Sequence, residues 1–171
     1  MSRTITETGD QLTNALHALS VRFIMGDEGR DSSLHTQPAR LISALAESKE
    51  ARLRLSLIPL FLEHPEFAVH VRAVSEEINH PARLTLQCYY SAALWLGQKH
   101  RLRLKDLIGE KTALPDHFSR ELGLMITNDP EKNLQQLAER HQVLSGAQVN
   151  WLGTYQHAVQ VWIRGLELQN A

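Results

Sequence analysis

The stretch His80-Pro81-Ala82-Arg83-Leu84-Thr85-Leu86-Gln87-Cys88-Tyr89-Tyr90-Ser91-Ala92-Ala93-Leu94-Trp95-Leu96 decides the fold class. A proline in the first turn of a helix loses nothing, because the N–H it lacks has no partner there, and its fixed φ already suits the helix. Beyond Pro81 the apolar positions Leu84, Leu86, Cys88, Tyr89, Ala92, Ala93, Trp95 and Leu96 run nearly all the way round a helical projection. A helix without a polar face must be enclosed by neighbours, so this segment predicts the central helix of an all-α fold. The pattern predicts that it continues past Gly97 toward Ile108, with Gly109 suited to the C-terminal cap.

Upstream, Pro38-Ala39-Arg40-Leu41 repeats Pro81-Ala82-Arg83-Leu84 at an offset of 43 residues. Pro38 opens a helix carrying Leu41, Ile42 and Leu45, and Ser48 with Glu50 starts another carrying Leu53, Leu57, Leu60 and Phe61. Pro59 lies inside that second helix and predicts a kink or break between Leu55 and Ile58. His64-Pro65 begins a helix reaching about Ile78, with Glu66 in the first turn at the positive end of the dipole. Nearer the N-terminus, Asp10 is a candidate N-cap for a helix on Leu12, Ala15, Leu16, Leu19 and Phe23, ended by Gly26. Residues 26–37 are polar, glycine-bearing and aperiodic, which predicts a flexible connector.

Downstream, a shorter helix is expected from Asp116 to Leu122, stopping at Gly123. Asp129-Pro130 starts a helix with Leu134, Leu137, Ala138, His141 and Leu144 in register, closed by Gly146. The last helix, from about Asn150, carries Trp151, Tyr155, Ala158, Trp162 and Leu166 on one stripe. No segment alternates apolar and polar residues between turn signals, so no strand is expected. The reading is one all-α domain over 1–171, a compact multi-helix bundle of about seven to eight helices.

Between Pro38 and Pro81 lie three predicted helical pieces, and a repeat of roughly 40 to 47 residues built from two or three helices is the pattern of HEAT and armadillo arrays. The stretch Pro38 to Leu96 resembles such an array. The resemblance implies antiparallel helices stacked to offer a broad surface to a partner.

A formal net charge of -1 provides no overall field toward nucleic acid or an anionic membrane. The single cysteine, Cys88, excludes an intrachain disulfide and reads as a small core residue of a protein from a reducing compartment. The N-terminal residues lack the apolar stretch of a signal peptide and no apolar run approaches bilayer length, so a cytoplasmic protein without membrane insertion is expected. Nucleophile elbow, phosphate-cradling loop and dinucleotide loop are absent. Asp27 and Glu28 within Gly26 to Gly29 would repel phosphate. The adjacent Glu76 and Glu77 diverge on a helix, and the nine histidines never adopt the His-Glu-x-x-His spacing of a helical zinc site. The sequence implies no catalytic residue, metal or cofactor.

Two groups remain as candidate binding residues. Lys99, Arg101, Arg103 and Lys105 form the densest charge cluster, able to neutralise phosphates or to make a solvated helix face. Trp151, Tyr155 and Trp162 are either core or a docking stripe, since these residue types concentrate at interface hot spots. Arg30 and His35 match the Arg-x4-6-His signature of the HEPN ribonucleases, all-helical proteins, and this resemblance implies attack on an RNA backbone by the pair. The leading expectation is a non-enzymatic helical module that binds a protein partner or itself. The alternative is an RNA-directed protein, using either the Lys99 to Lys105 patch or Arg30 with His35.

Overall fold

A computed structural model describes residues 8–21 and 33–170. It is all-helical, with no strand among the described residues. In chain order the elements are α1 (Gly9–Ala18), α2 (Pro38–Glu47), α3 (Ala51–Leu55), α4 (Leu57–Glu63), α5 (Ala68–Glu77), α6 (His80–Lys99), α7 (Arg101–Ile108), α8 (Ser119–Leu122), α9 (Pro130–Ser145) and α10 (Trp151–Gln169). Two 3-10 turns, Ser33–Thr36 and Pro65–Phe67, precede α2 and α5.

The expected central helix is α6, about 30 Å long at 1.5 Å per residue. Asn79 caps it, its side chain accepting the Ala82 N–H at 3.0 Å. The helix packs most extensively against α9 and α4, and also touches α2, α5 and α10. Leu86, Cys88, Tyr90, Ala92, Ala93, Trp95 and Leu96 are buried, as an enclosed helix requires. A single contiguous core cluster joins residues from α1 through α10.

Pro59 acts as its chemistry dictates. It has no N–H to offer the Leu55 carbonyl, and the chain breaks at Ser56 into α3 and α4. Ser56 Oγ caps the damaged turn, donating to Leu53 O at 2.5 Å. Every residue of α4 is buried.

Several boundaries differ from expectation. The cap of α1 is Thr8, not Asp10: Gln11 N–H donates to Thr8 Oγ1 at 3.2 Å while Thr8 N–H donates to Gln11 Oε1 at 2.9 Å, a reciprocal pair that Asp10 is two residues too late to make. Helix α1 ends at Ala18, because Ser20 takes a φ of 64° and terminates it before Gly26. Phe23 and Gly26 lie outside the described residues. So does 26–32 of the expected flexible connector, whereas Ser33–Thr36 forms a turn anchored by the buried Leu34.

The helix expected to run through Gly97 to Ile108 does pass Gly97, then breaks at His100, between α6 and α7. Near Asp116 only one turn forms, Ser119–Leu122, with Asp116 Oδ1 accepting the Ser119 N–H at 3.1 Å.

Gly97 stays helical for a packing reason. A Cβ placed there would lie 3.1 Å from Leu62 Cδ2, so glycine lets α4 and α6 approach closely. Leu62 offers only the end of its side chain and borders a groove into which it can shift. Gly97→Ala is therefore expected to raise stability by about 0.5 kcal/mol, the helix-propensity gain of about 1 kcal/mol less the cost of displacing Leu62. Urea melts of the two proteins check this; a lower midpoint in the variant would show that Leu62 is locked in place.

Candidate binding groove

A concavity of about 560 Å³ opens where the C-terminal half of α6 meets α4, α7 and the segment 109–114. From α4 and the following turn come Phe61, Leu62 and Pro65, and from α6 come Ala93, Leu94, Gly97 and Gln98. Helix α7 adds Leu104 and Ile108 to the apolar floor and Arg101 and Lys105 to the rim. Segment 109–114 closes the far side with Lys111 and Leu114. That segment turns at Gly109, where φ is 77°, and is tied down just beyond by Tyr90, whose hydroxyl donates to Pro115 O at 2.6 Å.

The basic run divides around the helix. Within α7, positions two apart project about 200° from each other at 100° per residue, so Arg103 leaves on the side opposite Arg101 and Lys105, while Lys99 belongs to α6, before the break at His100. Lys99 Nζ meets Glu131 Oε2 of α9 at 2.5 Å, and the Arg103 guanidinium pairs with the Glu167 carboxylate of α10. Arg101 and Lys105 are exposed at the groove and meet no acidic side chain in an ion pair among the described residues. The patch read as one surface is therefore two ion-paired struts and two groove cations. Helical periodicity separates Arg103 from Arg101 and Lys105, and the break at His100 sets Lys99 apart on α6.

The aromatic stripe faces inward. Tyr155 is 0% and Trp162 1% exposed, so these two make no docking face; they are core, because α10 lays this stripe against α9 and α4. Trp151 is half-buried, its ring stacked on His141 at 3.5 Å between centroids, with its Nε1 enclosed and without a hydrogen-bond partner.

Each buried aromatic serves a polar group that the sequence did not flag. Trp162 Nε1 donates to Glu63 Oε1 at 2.6 Å. Burial pushes the Glu63 carboxyl up, opposed by that hydrogen bond and by the charges of His64 and Lys111. Tyr155 Oη and His141 Nδ1 are 2.5 Å apart, and burial drives the His141 imidazole down to about 4, so it is neutral in the fold.

His64 ties the C-terminal end of α1 to the groove wall, with Nε2 2.7 Å from Leu19 O and Nδ1 2.9 Å from Glu66 Oε1. Partial burial raises the Glu66 carboxyl, but the hydrogen bond from His64, aided by the His64 and Lys111 charges, carries it below the usual range.

Of the candidate ribonuclease pair, Arg30 lies outside the described residues and His35 sits on the Ser33–Thr36 turn. Cys88 is buried and its thiol is pushed far up by desolvation, consistent with a packing role. No group of three or more His, Cys, Asp or Glu side chains able to hold a metal occurs among the described residues. Nor is any described helix long and apolar enough to cross a membrane.

Among the described residues the fold is all-helical, and it carries an apolar, cation-rimmed groove as a candidate site. Compared with known family models, curated proteins and solved structures, the chain matches none.

Proposed function

We propose that this protein is a non-enzymatic binding module that takes a segment of a protein partner in the groove between α4, α6 and α7. The observation that carries the reading is the composition of the groove: an apolar floor of Leu62, Ala93, Leu94, Leu104 and Ile108 beside Arg101 and Lys105. Apolar side chains of a partner gain by leaving water for that floor, at about 25 cal/mol per Å² buried, and the cations set orientation. A nucleic-acid backbone has no use for such a floor. Phosphate binding also favours converging cations, whereas Lys99 and Arg103 are turned away and paired with Glu131 and Glu167.

The test is selection from a random peptide library displayed on phage, with the whole protein as bait. Peptides should be enriched on the parent and lost from Ile108→Glu/Leu114→Glu, two half-buried groove positions that can accept a charge without opening the core. Failure to enrich any peptide, or equal retention by the variant, would overturn the groove as the site.

A further inference from the structure

Taking the groove as a peptide site, the geometry points to one class of occupant: a short amphipathic helix with acidic residues on one flank. Length, backbone chemistry and charge lead to this separately.

Within α7 the lining residues Arg101, Leu104, Lys105 and Ile108 extend over seven steps of the helix, about 10 Å at 1.5 Å per residue. That accommodates about two turns of a helix. On α6, Gly97 borders the groove beside Leu62 and adds no side chain of its own.

Most of the wall is helical, and helices spend their backbone groups on themselves. An extended peptide laid on Leu94, Gly97, Leu104 and Ile108 would bury N–H and C=O groups with few partners, and each such orphan is costly. A helical ligand arrives with its main chain already paired. It presents two apolar side chains one turn apart, the helix-in-groove mode of recognition.

Arg101 and Lys105 lie one turn apart along α7, about 6 Å in rise, on the same helix as the floor residues Leu104 and Ile108. Carboxylates one turn apart on a ligand helix share that spacing. The third rim cation is a weaker reader: Lys111 acts on Glu63 and Glu66, and Glu110 sits beside it in the lining. Recognition of acids therefore rests on Arg101 and Lys105.

The experiment uses the whole protein and a fluorescein-labelled, helix-constrained peptide. The peptide carries two leucines one turn apart and two glutamates one turn apart on the adjoining flank; a control carries lysines in place of the glutamates. Anisotropy titrations should show the glutamate peptide binding the parent, with affinity falling as salt is added. The double variant R101E/K105E should weaken it roughly tenfold, the effect of reversing two exposed pairs, and should bind the lysine peptide more tightly than the parent does. Both positions are exposed, so the variant keeps its core. Equal affinity of the parent for the two peptides, or no rescue by the charge swap, overturns the acidic-helix assignment. Enrichment in the phage selection of extended or uncharged peptides that still depend on Ile108 and Leu114 would overturn it too, while leaving the groove as a protein-binding site.

Discussion

Trp162→Ala is expected to cost about 5 kcal/mol and to leave the chain largely unfolded at room temperature. The indole is 1% exposed on α10 and fills the core against α4. Truncating a buried tryptophan removes its burial energy and opens a cavity, about 3 to 5 kcal/mol together. The loss does not end with packing, because the indole N–H is the donor that holds Glu63 Oε1 at 2.6 Å. Without it a buried carboxylate loses its partner, a penalty of about 1 to 3 kcal/mol.

Trp162→Phe separates the two terms, since phenylalanine retains much of the packing and none of the hydrogen bond. It should cost less than Trp162→Ala and grow worse with rising pH. The direction follows from Glu63: its folded pKa is raised by burial, so the folded state holds the proton more tightly than the unfolded chain. Stability from this group is greatest below the unfolded value of 4.5 and declines as pH rises through the folded value. Removing the donor that opposes the shift enlarges that decline. Urea unfolding of the three proteins at several pH values measures both effects, and a Trp162→Ala midpoint near that of the parent would refute the account.

Acid should weaken the fold through His141 by about 3 kcal/mol. The imidazole is buried among Trp151, Tyr155 and Tyr89, and burial takes it from 6.5 to about 4. A depressed histidine is protonated first in the unfolded chain. Its contribution is therefore complete above about pH 6.5 and is lost progressively as pH falls toward about 4. In that interval the neutral ring keeps its bond to Tyr155, while the unfolded state gains protons. His141→Phe leaves an aromatic surface for Trp151 and nothing to titrate. The variant should be less stable at pH 7, from the orphaned Tyr155 hydroxyl, and its stability should vary less than the parent's between pH 6.5 and 4. Chemical denaturation across that range decides it: parallel profiles for the two proteins would mean that His141 does not enter the fold as a neutral ring.

How much of this was legible in advance depends on the distance over which each signal acts. Pro59 announced the break at Ser56 and Asp129-Pro130 the start of α9, because a missing N–H or a capping side chain acts within one turn. The enclosed position of α6 was legible from an apolar surface with no polar side. The cap of α1 and the extent of the short α8 are not set by so local a signal, because several polar residues compete for the same orphan N–H groups.

Within the candidate site, only Arg101 and Lys105 of the flagged residues line the groove, and they were flagged as members of a four-residue patch. Their separation from Arg103 follows from helical periodicity within α7, whereas that from Lys99 depends on the break at His100. The importance of Lys111 and Leu114 does not, since nothing local says that segment 109–114 folds back over α6.

The order of amino acids settles helical class, the positions of most starts and stops, and which faces are apolar, since those rest on dihedral preferences and hydrogen bonds spanning a few residues. Which apolar face meets which was decided by assembly. Glu63 and Trp162 stand 99 residues apart and become partners only when α10 lies on α4. The groove likewise exists only because α4, α6, α7 and the 109–114 segment fail to fill the space between them, a matter of three-dimensional shape that no local pattern encodes.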